Sequence, residues 1–299
     1  MTKAPSFEKF AHERGAEDTA LGLALDRIMS LEEYDRRGEH AWPYTYTLTA
    51  GSSTLYYFGS QHPGNDPTHP EYALIEAAFA QANPEMVLVE GMRITGDTDA
   101  FESNIRSLSR DEVITTYATA GYVLWLALHK GIGWHSPEPD DADLYEHLLT
   151  LFQPDELFAW YVLHIIPQYH RDTHAGGGGF AAYVADFIQT FAAATQWKGF
   201  EYSLDHALDV AATIVGETID VESTQGADAW TDPVPHESEE RPRTVLNRIS
   251  RIVIERRDRK IVRDIAAALG DYARLFVVYG GSHAVVEEPA LRALLSDTR

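Results

Sequence analysis

The chain contains no cysteine. That excludes thiol catalysis, disulfides and thiolate metal sites, and leaves His, Asp and Glu as the side chains able to hold a metal. Basic residues are also scarce: 24 Lys and Arg stand against 46 Asp and Glu, a formal net charge of -22. Such a field repels nucleic acid and anionic lipid, so a small molecule or peptide is the expected partner, with no nucleic acid and no membrane. Long apolar runs are missing too. No uninterrupted stretch approaches the roughly 18 residues of a membrane span, and the opening "MTKAPSFEKFAHERGAEDTALGLALDRIM" is too charged for a secretory signal. The expected location is therefore cytoplasmic, and a homo-oligomer is left open.

What the chain does have is enough apolar material for a sizeable core. Its 299 residues are 44% hydrophobic and 11% aromatic, which predicts one large domain or two closely packed ones. Residues 18–34 show Leu and Ile at helical spacing and predict an amphipathic helix. "YTYTLTAGSSTLYYFG" alternates about an Ala-Gly-Ser-Ser turn, the pattern of a hairpin. A helix comes next in "PEYALIEAAFAQANPE", with Leu74, Ile75, Ala78 and Phe79 as its apolar face, and then a strand, "MVLV".

Strand, helix and strand within about 36 residues form a βαβ unit, which implies a parallel pair. The pattern repeats with "DEVITTYATAGYVLWLALHK" as a helix and "GIGWHSPEP" as a short strand. From about 141 to 270 the chain reads as largely helical, broken at 174–180 and at 222–243 by segments expected to be mobile loops. A last strand, "LFVVY", closes the sheet. The fold class expected is α/β: one domain over 1–299, its central mostly parallel sheet starting in a hairpin, with flanking helices and a helical insertion or cap over 141–243.

In open parallel sheets, ligands sit outside the carboxyl ends of the strands. Four inferred strands end in polar residues: His62 after "YYFGSQ", Glu90 after "MVLV", His135 or Glu138 in "WHSPEP", and His283 after "VVYGGS". Both Gly-x-x-His endings come after an aromatic or β-branched run, and glycine there is expected to let the backbone turn into a loop that exposes the histidine at the rim. Read alone, each histidine serves equally well as a structural hydrogen-bonding group. Glu90 ends a buried run and so must be paired, protonated or bound to a cation. Arg93 or Arg257 would be its salt-bridge partner in a purely structural role. The segment "RIVIERRDRKIVR" packs five arginines and a lysine into an otherwise acidic chain, which can set one guanidinium over the rim carboxylates.

Taken in order, "YYFGSQH", "MVLVEG", "ERRDRKIVRDI" and "FVVYGGSHAVVEEPALRALL" resemble the TraB/TIKI family, within the wider group of ChaN-like and erythromycin esterase-like proteins. The resemblance covers about residues 44–93 and 244–296. It implies a pseudo-symmetric α/β fold and, as in TIKI-like members, a metal-dependent peptidase activity using the two GxxH histidines and the glutamate. Carried over, it singles out His62, Glu90, Arg257 and His283, with Asp258 standing where Asn is frequent and Glu287 where Gly is common.

The expected centre is a divalent ion (Mn, Zn, Co or Fe) held by His62, Glu90 and His283. Arg257 would steady transition-state charge, Asp258 would stand beside it, and Glu138 would serve as general base or further ligand. The expected function is hydrolysis of an amide or ester bond in a peptide or small molecule. Alternatives are a metal-free esterase-like hydrolase with His as general base, and a non-catalytic protein binding haem, iron or an anionic ligand. His170 and His174, four apart, form a weaker candidate metal pair.

Overall fold

The computed structural model describes residues 19–38, 40–92, 97–171, 178–223, 228–233 and 244–296. The chain divides into two compact units, Met1–Glu138 with Asp258–Arg299, and Pro139–Arg257. The fold is α/β.

The first unit holds a five-stranded sheet in the order β1-β2-β5-β3-β4. Strand β1 (Tyr44–Ala50) pairs antiparallel with β2 (Ser53–Ser60), Tyr44 opposite Gly59. This is the expected hairpin, turned at Gly51, whose φ of 58° is cheap only for glycine. β5 (Arg274–Gly280) lies parallel to β2 on one side and to β3 (Met86–Val89) on the other, and β4 (Gly133–His135) is parallel to β3 at the edge.

All four residues of β3 are buried because both faces of the sheet are covered, which is why "MVLV" is continuously apolar. Val87 and Val89 join Phe58, Phe276 and Val278 in one core layer. Met86 and Leu88 join Tyr57, Val277 and Tyr279 in the other. All four parallel strands end on the same edge.

Helices α1 (Thr19–Leu25) and α2 (Leu31–Arg37) replace the single helix expected over 18–34. The break has a local cause: the Ser30 side chain accepts from Glu33 N and caps α2, while Met29 N donates to Val286 O instead of continuing a helix. In α3 (Glu71–Ala82) the buried face is Tyr72, Ile75, Ala78 and Phe79; Leu74, expected inside, is 49% exposed. Helices α4 (Thr98–Ser107) and α5 (Arg110–His129) come next, α5 opened by a Ser109–Glu112 capping box and kinked at Ala118.

Among its described residues the second unit holds helices and no strand: α6 (Asp141–Leu149), α7 (Pro154–Arg171), α8 (Gly179–Thr195) and α9 (Leu204–Val215), with a short 3-10 turn at Asp228–Trp230. Its core mixes Leu, Ile and Val with aromatic residues such as Phe158 and Phe191, and the partly buried Trp197 packs against it. The unit reaches beyond the 141–243 segment read from sequence. Positions 174–177, 224–227 and 234–243 of the two expected loops lie outside the described residues. Helix α10 (Val245–Asp271) carries the chain out of the second unit and back into the first, and β5 then runs without a loop into α11 (Gly281–Ser296).

Candidate functional site

Three strand ends deliver the site. β2 ends at Ser60, and the chain turns through Gln61 into His62, whose φ of 56° is in the left-handed region that non-glycine residues avoid. The strain is held by a small polar knot. Ser60 O–H donates to Glu71 Oε1 at 2.5 Å, Gln61 N–H donates to the same oxygen at 3.2 Å, and His62 N–H donates to Ser60 Oγ at 3.0 Å. Glu71, almost fully buried, is the anchor of that knot. The His62 imidazole itself stays in water, its side chain 54% exposed.

Glu90 comes directly after β3. Its N–H continues the sheet ladder to Val278 O, and its Oε2 accepts from Gly280 N at 2.6 Å. The Glu90 carboxylate faces both histidines: Oε2 is 3.6 Å from His62 Nε2, and Oε1 is 3.9 Å from His283 Nε2. Arg93, one of its two expected salt-bridge partners, lies outside the described residues.

His283 is not on a loop. It sits in the first turn of α11 and is 7% exposed, because β5 passes straight into the helix at Gly281. The rim exposure expected for it is corrected accordingly. Its Nδ1 is 2.5 Å from Asp258 Oδ1, on α10. A carboxylate on Nδ1 fixes the ring and leaves Nε2 as the nitrogen turned toward Glu90.

Behind this pair stands Glu287, one helical turn beyond His283. Its Oε1 is 3.8 Å from His283 Nδ1, and its Oε2 accepts from Tyr57 O–H at 2.8 Å. Burial, and then the charge of Asp258, push the Glu287 carboxyl well above the ordinary glutamate range. In the sequence Glu287 stands out only as a departure from the family pattern. Its signal is the i, i+4 spacing from His283, which puts both on one helix face. Tyr57 and Glu71 carry no comparable sequence signal.

Glu138 reaches the same edge from beyond β4: its Oε1 accepts from Gly91 N at 3.2 Å and lies 3.4 Å from Tyr279 Oη. Ser136 braces this corner, donating to Val89 O at 2.7 Å and accepting from Met92 N. His135 turns instead to a second acid on α10, with Nε2 2.8 Å from Asp264 Oδ2, and Lys260 also bonds that oxygen. Arg257 precedes Asp258 on α10, half-buried, as the last residue of the second unit. His170 is committed locally, its Nε2 3.1 Å from Val221 O, and His174 lies outside the described residues.

Among the described residues, the side chains whose candidate ligand atoms all lie within 4.8 Å of one another are Asp258, His283 and Glu287. That trio is a poor cation site as it stands. All three are buried, and Asp258 is already in hydrogen-bond contact with His283 Nδ1. The opposite side of the His283 ring offers the better donors. There the two imidazole Nε2 atoms flank one carboxylate at 3.6 and 3.9 Å, too long for hydrogen bonds. Two donors sharing one ion at about 2.1 Å in tetrahedral array stand about 3.4 Å apart. Each imidazole therefore stands at the spacing of a shared ion from its own oxygen of Glu90, but His62, Glu90 and His283 are not among the described residues whose ligand atoms all lie within 4.8 Å of one another, so an ion held by all three would need them to draw together.

No helix among the described residues is long and apolar enough to cross a membrane. No family model matches the chain, and no curated protein or solved structure matches it.

Proposed function

We propose that the protein is a metal-dependent hydrolase of the TraB/TIKI type, acting on an amide or ester bond in a peptide or small molecule. The observation that carries the reading is the Glu90 carboxylate faced by two imidazole Nε2 atoms, one of them oriented from behind by Asp258. His62, Glu90 and His283 would hold the ion; Mn, Zn, Fe and Co all suit two imidazoles and a carboxylate. Bound there, it would polarise the substrate carbonyl and lower the pKa of a water.

The chain's own residues do the rest. Asp258 holds the His283 ring in one tautomer and orientation, and the Gly280 N–H keeps Glu90 turned inward. Glu138, at the same edge, would serve as general base or further ligand. The strained backbone at His62 is the kind of cost a structure retains where a side chain must be aimed.

A second reading has its own observation. A buried aspartate 2.5 Å from Nδ1 of a histidine is also the arrangement that makes Nε2 a general base without a metal. Chelation separates the two. The metal reading expects purified protein to carry about one divalent ion per chain, His62→Ala to carry far less, and chelator to abolish hydrolysis of chromogenic esters or anilides. Activity that survives exhaustive chelation favours the metal-free base, and equal metal content in wild type and His62→Ala removes the main support for the first reading.

A further inference from the structure

The two glycines at the β5–α11 junction point to a substrate-binding wall beside the centre. Neither Gly280 nor Gly281 has a positive φ, so backbone conformation does not demand glycine at either position. Close approach does. A Cβ on Gly280 would meet His62 Nε2 at 2.7 Å, and a Cβ on Gly281 would overlap the Trp42 ring at Cζ3. Two consecutive missing side chains thus seat an imidazole and an indole on one piece of backbone. Adding those gaps to the spacing of neighbouring Cβ positions puts the indole within about 11 Å of the His62 ring.

Trp42 is also unusual for so large an apolar group, since 36% of it remains exposed. Its ring is held edge-on to His40 at 6.0 Å as well as against Gly281. A rigid, half-wetted indole is an economical surface for an apolar group, because little side-chain freedom is lost when the group lands.

We propose that Trp42 is a specificity-determining residue, and that the substrate carries an aromatic or aliphatic group a few bonds from the bond that is cut, seated against the indole. The proposal rests on the hydrolase reading and deepens it.

The test uses the zinc-loaded full chain, with 4-nitrophenyl acetate and 4-nitrophenyl phenylacetate as substrates and, separately, acetate and phenylacetate as ligands in calorimetry. The expected result is a preference of about tenfold for the phenylacetyl compound in both kcat/KM and Kd, lost in Trp42→Ala and largely kept in Trp42→Phe. Circular dichroism and zinc stoichiometry check that each variant is folded and loaded. A preference that survives Trp42→Ala overturns the proposal, as does wild type showing no preference in either measurement. If neither ester is cleaved, the hydrolase reading fails, while the calorimetric ratio still decides the role of the indole.

Discussion

Gly59-Ser60-Gln61-His62 and Gly280-Gly281-Ser282-His283 share the Gly-x-x-His pattern and have opposite outcomes. The first leaves its strand for a loop and carries its histidine in strained backbone, exposed to water. The second enters a helix at once and buries its histidine against Asp258. The residues downstream of each histidine make the difference. Pro63 and Gly64 after His62 stop a helix from forming, whereas "AVVEE" after His283 continues one, with Ala284, Val285 and Val286 all buried. The pair of histidines therefore divides the work, one positioned by strain and accessible, the other fixed by a carboxylate and dry.

The sharpest way to break this contrast is at the buried partner. Asp258→Ala removes the buried acid bonded to His283 Nδ1, so urea denaturation should show a loss of about 3 kcal/mol, and any hydrolytic activity should fall with it.

An effect with a distinctive pH signature is expected at Glu287. Its folded pKa lies above the ordinary value of 4.5, so the folded state keeps a proton that the unfolded chain releases. Stability from this group is full below the unfolded value and declines as pH rises toward the folded one. Asp258, His283, Tyr57 and Tyr46 face it, and none of them offers it a cation at high pH unless His283 is charged. Glu287→Gln keeps the acceptor for Tyr57 and cannot ionise. Thermal melts from about pH 4 to 8 should show its stability relative to wild type rising with pH above the unfolded value, by up to about 1.4 kcal/mol per pH unit until the folded pKa is reached. A flat difference would mean that Glu287 is ionised in the folded protein.

The smallest change belongs to the exposed histidine. His62→Gly relieves a left-handed residue but frees the unfolded chain, so stability should stay within about 1 kcal/mol of wild type, equal or higher, while metal content falls. The same replacement at His283 should destabilise clearly, because that ring is packed and bonded. Equal stability losses at the two positions would erase the contrast between the two histidines.

Much of the fold is legible in the amino-acid sequence. The hairpin, the continuous apolar run of "MVLV" with its polar ending, and the order of strands and helices all come from local periodicity, which acts over a few residues and survives in any context. His62, Glu90, His283 and Glu138 can be named because each stands at or just beyond the end of an apolar run or inferred strand. The division of residues 18–34 into two helices is less legible, since the Ser30 cap competes with a continuous apolar pattern and wins through the bond from Met29 N to Val286 O. The exposure of Leu74 is hidden for a similar reason: helical spacing alone cannot say whether the Tyr72 or the Leu74 side of α3 meets the sheet.

By itself, then, the sequence determined the class of fold, the strands and the polar groups at their ends, because these depend on turn chemistry and on the spacing of apolar residues along the chain. Only the tertiary structure decided which nitrogen of His283 is occupied, that Glu287 and Tyr57 stand behind Asp258, that Glu71 pins the His62 loop, and that Trp42 rests on Gly281. The physical reason is distance in sequence: partners such as Tyr57 and Glu287, 230 residues apart, meet only when the sheet assembles β5 between β2 and β3, and no local pattern encodes that meeting.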